Sequence, residues 1–554
     1  MRICGVKLTH DGAVAVVEDG RLVFCVEQEK RDSNERYQAI DNLDSIVLAL
    51  AEHGLDARDI DEFVVDGWIG EVESKLEVLN GAQPITLKAA PYLERGVGSL
   101  LTSSDGLGLM LGGRSFPYRS YAHVTGHVAS AYCTSPFAKA SQPAFCLVWD
   151  GAMPSRLYHV GGREGRLLDN VIPMIGRAYI TAGQHFGPYK TANRGWMELS
   201  IAGKVMAFIA LGSVDENIVA VFRELYEDRF AAEFARCYHP DLKGMELALA
   251  ALHDFFDASE LRLKDESPED VLASFHSFVE RLLVREVADA LQRHSSVDRP
   301  RNLCIAGGCG LNIKWNSALR ATGLFDAVWV PPFPNDSGSA IGAACAAIAA
   351  HEGFTPLEWS VYSGPVLQAS EVPSEWKAVP CSLPELATIL ASNKPVVFLA
   401  GRAELGPRAL GGRSIIAAAT SASMKDHLNE IKRREHFRPV APICLEDRAP
   451  DIFIPGTPDP YMLFDHQTRA EWRNKIPAVV HLDGSARLQT IPRTSQHKIA
   501  EVLVEYEKVT GIPLLCNTSA NLNGRGFFPD AGAACRWGRV EHVWSDGLLW
   551  TKRS

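Results

Sequence analysis

Four residues far apart in the sequence, His123, His127, Asp150 and Asp336, set the strongest condition on how this chain folds. The two histidines lie in YAHVTGHVASAY, four positions apart. On a helix, such positions share one face, so both imidazoles can reach one ion. Asp150 closes an apolar run, Phe145 to Trp149, that reads as a buried strand. Asp336 sits in the loop PPFPNDSGSAIGAA, just before a helix of small residues. A fold that joins these points offers two nitrogens and two carboxylate oxygens. That donor set suits iron, manganese or zinc and is unlike a thiolate site. Alone, the histidine pair reads more readily as core or surface residues. A zinc protease is disfavoured, because Val124, Thr125 and Gly126 stand where HExxH needs a glutamate.

The 554 residues suggest several domain-sized units, and 46% apolar content is ample for a large core. A net charge of −11 argues against general binding to nucleic acid or an anionic membrane, although local basic patches can still serve phosphates. The twelve cysteines include no CxxC, and Cys146, Cys304, Cys345 and Cys516 lie in apolar runs. They read as small buried hydrophobes in a reducing compartment. MRICGVKLTHDG lacks the long apolar region of a signal peptide, and no window reaches the roughly 18 apolar residues of a membrane span. A cytoplasmic protein is expected.

The opening predicts three strands: Arg2 to Lys7, Ala13 to Val17 and Leu22 to Val26, with turns at His10-Asp11-Gly12 and Asp19-Gly20. A polar stretch, EQEKRDSNERYQ, follows. Residues 68–118 show no strong periodicity and read as an insertion or a substrate-shaping region. The clearest helix spans 268–294, with Ser267 as N-cap, Pro268 at N1 and a regular apolar stripe from Val271 to Val287. Strand Asn302 to Ala306 leads into the turn Gly307-Gly308-Cys309-Gly310. A linker at 352–375, rich in Pro, Ser, Gly and Glu, marks the main boundary. The strand patterns of 1–30 and 144–165 suggest two halves of a duplicated fold.

The glycine turn can bring backbone N–H groups close to a phosphate, and Lys204 in SIAGKVMAF can add a contact. Each reads equally well as ordinary structure. The densest cationic region is GRAELGPRALGGRS with KRREHFRPVAP, carrying Arg402, Arg408, Arg413, Lys432, Arg433, Arg434 and Arg438. Arginine forks match phosphate or carboxylate oxygens, whereas lysine acts as a point charge. Arg433 reads as a solvated residue. Strand Ile512 to Cys516 runs into NTSAN, whose short polar side chains can hydrogen-bond a ligand or simply cap a turn. No GxSxG elbow or P-loop is present.

HDG near the start, HVTGH, WDG, GGCGLN, NDSGSAIGAA, GPRALGGRS, KRREHFRPVAP and NTSAN together resemble one family, in order from residue 1 to about 530. It is the ATP-dependent O-carbamoyltransferases, which include the nebramycin, 3-hydroxymethylcephem and nodulation-factor enzymes. The opening KLTHDGAVAVVEDGRLVF looks closest to the cephem branch. The resemblance implies an α/β protein of two domains. Residues 1–355 would be Kae1-like, a duplicated fold of the ASKHA, ribonuclease H type. Residues 375–554 would be YrdC-like. The second would make carbamoyl adenylate from carbamoyl phosphate and ATP with Mg2+. The first would transfer the carbamoyl group to a hydroxyl of a small secondary metabolite, as in antibiotic biosynthesis.

By the same resemblance, His123, His127, Asp150 and Asp336 would hold a divalent metal, iron(II) before manganese or zinc. His10 would act beside the acceptor hydroxyl as base or positioning group. Lys204, Gly308 and Asn312 would contact nucleotide or phosphate. Arg408, Arg413, Lys432, Arg438, Ser519 and Asn521 would bind carbamoyl phosphate and ATP, with Lys432 and Arg438 in catalytic roles. Two segments depart from the pattern. Asp150-Gly151-Ala152-Met153 replaces Gly-x-Gly-Glu after the aspartate, which bears on acceptor contacts, and GKVMAFIALG replaces GKVMGLAPYG, which bears on Lys204. Tyr37, Trp68, Tyr189 and Trp196 are candidate pocket walls. Two other readings compete: a carbamoyl or threonylcarbamoyl transferase for a macromolecule, and an actin-like, nucleotide-dependent binding module. Oligomeric state stays open.

Overall fold

The computed structural model describes residues 1–96, 100–190, 199–294, 301–522 and 524–552. The chain forms two compact units, Met1–Cys25 with Ala39–Ser360 and Val26–Gln38 with Val361–Ser554. The polar stretch after the third strand therefore packs with the C-terminal unit, although a single division near 352–375 was expected.

In the first unit, β1 (Arg2–Lys7), β2 (Ala13–Glu18), β3 (Arg21–Glu27), β4 (Glu62–Asp66), β5 (Ser103–Leu111) and β6 (Arg114–Tyr121) form one sheet in the order β3-β2-β1-β4-β6-β5. β2 is antiparallel to β1, whereas β4 is parallel to β1 and β6 to β4. The Asp19-Gly20 turn has φ of 48° and 77°, the double positive φ of a type I′ hairpin. A second sheet contains β7 (Ala144–Val148), β8 (Pro154–Gly161), β9 (Glu164–Ile175), β10 (Asn302–Ala306) and β11 (Ala327–Trp329), ordered β9-β8-β7-β10-β11. Here β8 is antiparallel to β7, β10 is parallel to β7, and β11 is parallel to β10. With the edge strand β5 set aside, both sheets repeat one order, β3-β2-β1-β4-β6 in the first and β9-β8-β7-β10-β11 in the second, with the direction change at the same place. That repeat is the duplicated ribonuclease H-type architecture.

Residues 68–118 are more regular than their sequence suggests. Ser74–Asn80 and Gln83–Ala89 pair as an antiparallel ribbon, and β5 pairs antiparallel with β6. Leu76 and Val78 are buried while Lys75, Glu77 and Leu79 are exposed. Only three large apolar residues, Leu76, Val78 and Leu87, are buried across the two strands, too few for a strong period-2 signal.

Helix α1 (His123–Cys133) is buried at every position. Helix α2 (Pro268–Arg293) begins as expected, with the Ser267 side chain accepting from the Asp270 N–H at 3.1 Å. Helix α3 (Ser339–Glu352) is built from small residues for a geometric reason. A Cβ on Gly342 would stand 1.9 Å from the Gly126 carbonyl oxygen, and one on Gly5 would stand 2.0 Å from that of Ala340. Backbone therefore meets backbone where α3 crosses α1 and β1.

The second unit holds β12 (Trp376–Pro380), β13 (Val396–Leu399), β14 (Arg413–Ala417), β15 (Ala441–Leu445), β16 (Gln489–Ile491), β17 (Leu514–Ser519), β18 (His542–Ser545) and β19 (Leu548–Lys552). Their order is β12-β19-β18-β13-β14-β17-β15-β16. Side chains alternate across this sheet. Val397 and Leu399 join a core with Met424 and Leu428, whereas Val396 and Phe398 join another with Leu386, Leu390, Ile499 and Leu503. The first set comes from helix α4 (Ser423–Ile431); the second from Leu383–Ala391 and Lys498–Thr510.

Gly342→Ala forces α1 and α3 apart and is expected to destabilise the protein by about 1–3 kcal/mol, the usual range for overpacking a tight core. The thermal unfolding midpoint should fall; an unchanged midpoint would show that the close approach is dispensable.

Candidate functional site

Open α/β sheets gather ligands at the carboxyl ends of their parallel strands. In the first unit those ends carry the polar residues. Lys7 ends β1, Asp66 ends β4, His123 follows β6, Asp150 follows β7 and Gly308 follows β10. Asp336 opens the short turn Asp336–Gly338 before α3. His123, His127, Asp150 and Asp336 are all buried, and one ligand atom from each lies within 4.8 Å of the others.

The ligand atoms sit at coordination distances from one another. His123 Nε2 is 3.1 Å from His127 Nε2, and Asp336 Oδ1 is 3.3 Å and 3.4 Å from them. Neighbouring ligands around a metal with bonds of 2.0–2.2 Å stand about 3.0–3.5 Å apart, so these residues fit a divalent ion. Each ligand is held from behind. Asp66 Oδ2 accepts from His123 Nδ1 at 2.7 Å, which turns Nε2 inward. The Tyr92 hydroxyl donates to Asp150 Oδ2 at 2.7 Å, and the Gly308 N–H donates to Asp150 Oδ1 at 2.6 Å. Gly307 makes this turn possible: its φ is +84°, and a Cβ there would meet the Trp149 carbonyl oxygen at 2.3 Å.

Lys7, 1% exposed, balances the buried carboxylates. Its ammonium is 3.0 Å from Asp66 Oδ2 and 2.9 Å from Asp336 Oδ2, and lies 4.2 Å from the centre of the Trp68 ring. Burial pushes the Asp336 carboxyl up, but Lys7, His123 and His10 outweigh it and hold that group well below the usual carboxylate range. Burial and then Lys7 lower the His123 imidazolium, yet Asp66 and Asp336 outweigh both and raise it to about 9. His10 stands at the edge of the cluster, its Nε2 3.6 Å from Asp336 Oδ2 and its Nδ1 3.0 Å from Asp11 Oδ2. Trp68 packs edge-on against both His10 and His123.

The second unit carries the opposite charge. The Lys432 ammonium, 3% exposed, donates to Ser519 Oγ at 2.9 Å and the Asn521 carbonyl at 3.1 Å, and also to Asn521 Oδ1 and the Ser519 carbonyl. Burial, then Arg434, Arg36 and Arg438, lowers its proton affinity well below the ordinary lysine range. Burial followed by neighbouring arginines likewise depresses Arg408 to about 10 and Arg434 to about 9, and lowers Arg487 well below its ordinary value. Arg408 Nε, Arg434 Nη2 and Arg487 Nε are buried donors that find no acceptor. Crowded cations with unused donors form a receptor for an anion. Asn429 shapes it, accepting from Arg434 Nε at 2.6 Å while donating to the carbonyls of His436 and Arg438 at 3.0 Å each.

Several sequence-based expectations change. Arg413, 1% exposed, does not join the receptor: its two terminal nitrogens donate to the carbonyls of Ala400, Gly412, Pro365 and Gly401. It is a backbone clamp, as is Arg402, which donates to the carbonyls of Gly364 and Ser363 at 2.9 Å each. The Gly308 N–H is taken up by Asp150 rather than presented to a phosphate. Asn312 caps a helix, its Oδ1 accepting from the Lys314 and Trp315 N–H groups at 3.2 Å each. Lys204 lies over the Tyr189 ring at 5.4 Å. Tyr37 falls in the second unit, and Trp196 lies outside the described residues. Lys7, Asp66, Tyr92, Asn429 and Arg487 escaped the sequence reading. A signal for two existed: GVKLTH and FVVDGW each place a charge at the end of an apolar strand, as in LVWDG.

The chain thus pairs a duplicated ribonuclease H-type unit that carries a buried His/Asp cluster with an α/β unit that carries crowded, buried cations. A family model described as the carbamoyltransferase N-terminus matches residues 2–345, and the carbamoyltransferase C-terminus matches 387–543. Nodulation protein U of Rhizobium tropici is 71% identical over all of this chain and 96% of its own length. A 3'-hydroxymethylcephem-O-carbamoyltransferase of Amycolatopsis lactamdurans is 33% identical over 95% of this chain and 94% of its own. Among solved structures, a Clostridium difficile activator of 2-hydroxyisocaproyl-CoA dehydratase aligns with 63% of this chain and 96% of its own at 14% identity and a TM-score of 0.34. The chain belongs to the carbamoyltransferase family. The expected nearness to the cephem branch is overturned by these identities.

Asp66→Asn leaves His123 without its charged partner and is expected to weaken metal binding about 10–100-fold. Competition with a chelating dye reads this directly; unchanged affinity would remove Asp66 from the metal-supporting network.

Proposed function

We propose that this chain converts carbamoyl phosphate, ATP and water, with Mg2+, to carbamoyl adenylate in its second unit with release of phosphate and pyrophosphate, and in its first transfers the carbamoyl group to a hydroxyl of a small secondary metabolite with AMP as the leaving group. The observation that carries this reading is the separation of two chemistries. One unit gathers buried cations whose donors lack acceptors, and the other a buried His/Asp cluster with His10 beside it. An acyl phosphate and a nucleotide triphosphate are the polyanions that the first chemistry suits.

In the second unit, Arg408, Arg434, Arg438 and Arg487 hold phosphoryl oxygens. Lys432 fixes Ser519 and Asn521 and supplies further positive charge where oxygens become more negative during adenylation. In the first unit, His123, His127, Asp150 and Asp336 would hold iron(II), with manganese or zinc as alternatives. A divalent metal there supplies Lewis-acid polarisation. His10 takes the proton of the acceptor hydroxyl at Nε2, oriented through Nδ1 by Asp11. Trp68 forms one wall beside it.

The relatives' printed names indicate the acceptor class. One acts on a hydroxymethyl cephem, and others are nodulation proteins. At 71% identity, the nodulation relatives favour an acceptor from that process over an antibiotic. All twelve cysteines are free, which supports a reducing, cytoplasmic setting. Among the described residues, no helix is long and apolar enough to cross a membrane. The net charge of −11 speaks against a nucleic-acid acceptor.

Pyrophosphate release from ATP, followed without acceptor, tests the division of labour. It should depend on carbamoyl phosphate, fall at least about 100-fold in Lys432→Ala, as for other lost charge stabilisers, and persist in His123→Ala. Release indifferent to carbamoyl phosphate, or lost only in His123→Ala, would refute the assignment.

A further inference from the structure

The segment Val26–Gln38 belongs to the second unit although it precedes most of the first in the chain. Its seating there is specific. Lys30, 2% exposed, pairs with Glu27 at 3.0 Å and donates to the carbonyls of Glu404 and, at 2.6 Å, Gly406. Glu27 accepts the Gly406 N–H at 2.8 Å. The Phe527 N–H donates to the Glu29 carbonyl at 3.0 Å, and Arg525 Nη1 to that of Asn34 at 3.2 Å. A Cβ on Gly526 would stand 2.1 Å from the Glu29 carbonyl oxygen, so no side chain fits between. The segment thus lies against the loop that continues from Ser519 and Asn521, the residues that hold Lys432.

This seating fixes one guanidinium. Buried Glu29 pairs with Arg36 Nε at 3.2 Å and accepts the Tyr37 N–H at 3.1 Å. Tyr37 has φ of +60°, a strained conformation for a bulky residue that its surroundings must enforce. The Arg36 guanidinium lies over the rings of Tyr37 at 5.1 Å and Phe527 at 5.9 Å. It is close enough to Arg408 and Lys432 to oppose the positive charge on both. Holding a third cation there is favourable when an anion joins them.

We propose that Arg36 is a phosphate-binding residue of the second unit's anion receptor, carried into it by the segment 26–38, so that residues 361–554 alone form an incomplete site. Its ligand is a phosphoryl group of the acyl phosphate or nucleotide, drawn by the positive charge that Arg36 adds beside Arg408 and Lys432. This deepens the proposed function and rests on it for the identity of the substrates, but not for the binding of phosphate.

The test uses the full chain with Arg36→Ala, Arg36→Gln and Arg36→Lys. Calorimetry with inorganic pyrophosphate reads the receptor, and carbamoyl-phosphate-dependent pyrophosphate release reads the reaction. The proposal predicts at least a tenfold loss of pyrophosphate affinity in the Ala and Gln variants, partial recovery in Lys, and a rise in KM for carbamoyl phosphate or ATP that exceeds the fall in kcat. The Gln variant retains a donor toward Glu29 and keeps the test valid if Ala unfolds. Exposed Arg433→Ala should leave both readouts unchanged. Unaltered affinity in the Gln variant overturns the proposal. So does a loss that follows thermal stability equally in Gln and Lys, which marks a structural tether. Weakened pyrophosphate binding in a chain whose wild type ignores carbamoyl phosphate would refute the functional reading while supporting Arg36.

Discussion

The buried ion pairs of Lys7 are the interaction on which the first unit's site depends. Two carboxylates, Asp66 and Asp336, converge with His123 in a place closed to water. Unopposed, such charges are expelled or neutralised. Lys7 opposes both while leaving Asp336 Oδ1 directed at the two histidines. The arrangement is possible because α3, made of small residues, rests directly on α1 and β1. Packing with no side chains at the crossings and the placement of charge are therefore one design.

The second unit solves the reverse problem. Its cations crowd together, and Arg408, Arg434 and Arg487 each keep a buried donor without an acceptor. Such an arrangement is costly when empty and favourable when an anion enters. Arg413 shows the contrast within the same glycine-rich stretch: four carbonyls surround its fork, so it stabilises the loop that carries Arg408. Sequence proximity to a binding arginine does not make a second one.

Elements with strong periodicity or good capping were legible before the structure was known. The opening hairpins and the helix after Ser267 are of this kind, whereas the four residues of the His/Asp cluster were singled out by their donor chemistry and motif context. The repeated strand order was only a suggestion, because duplication is conserved in hydrogen-bond topology, not in residues. The ribbon within residues 68–118 was not legible because a half-exposed ribbon needs few apolar side chains. The bond from the Gly308 N–H to Asp150 was not legible, because a glycine amide near a strand end can serve a protein carboxylate as well as a phosphate. The passage of Val26–Gln38 into the second unit was invisible, since its anchors, Gly406, Arg525 and Phe527, lie almost at the other end of the chain.

The central claim is that adenylation and transfer reside in different units and need different residues. Rapid quenching of a His127→Ala variant with carbamoyl-labelled carbamoyl phosphate and ATP, in the presence of acceptor, tests it most directly. The account predicts that labelled carbamoyl adenylate accumulates to about one equivalent per chain while no carbamoylated acceptor forms. Product formed at the wild-type rate, or no adenylate in a folded variant whose second unit is intact, would contradict it.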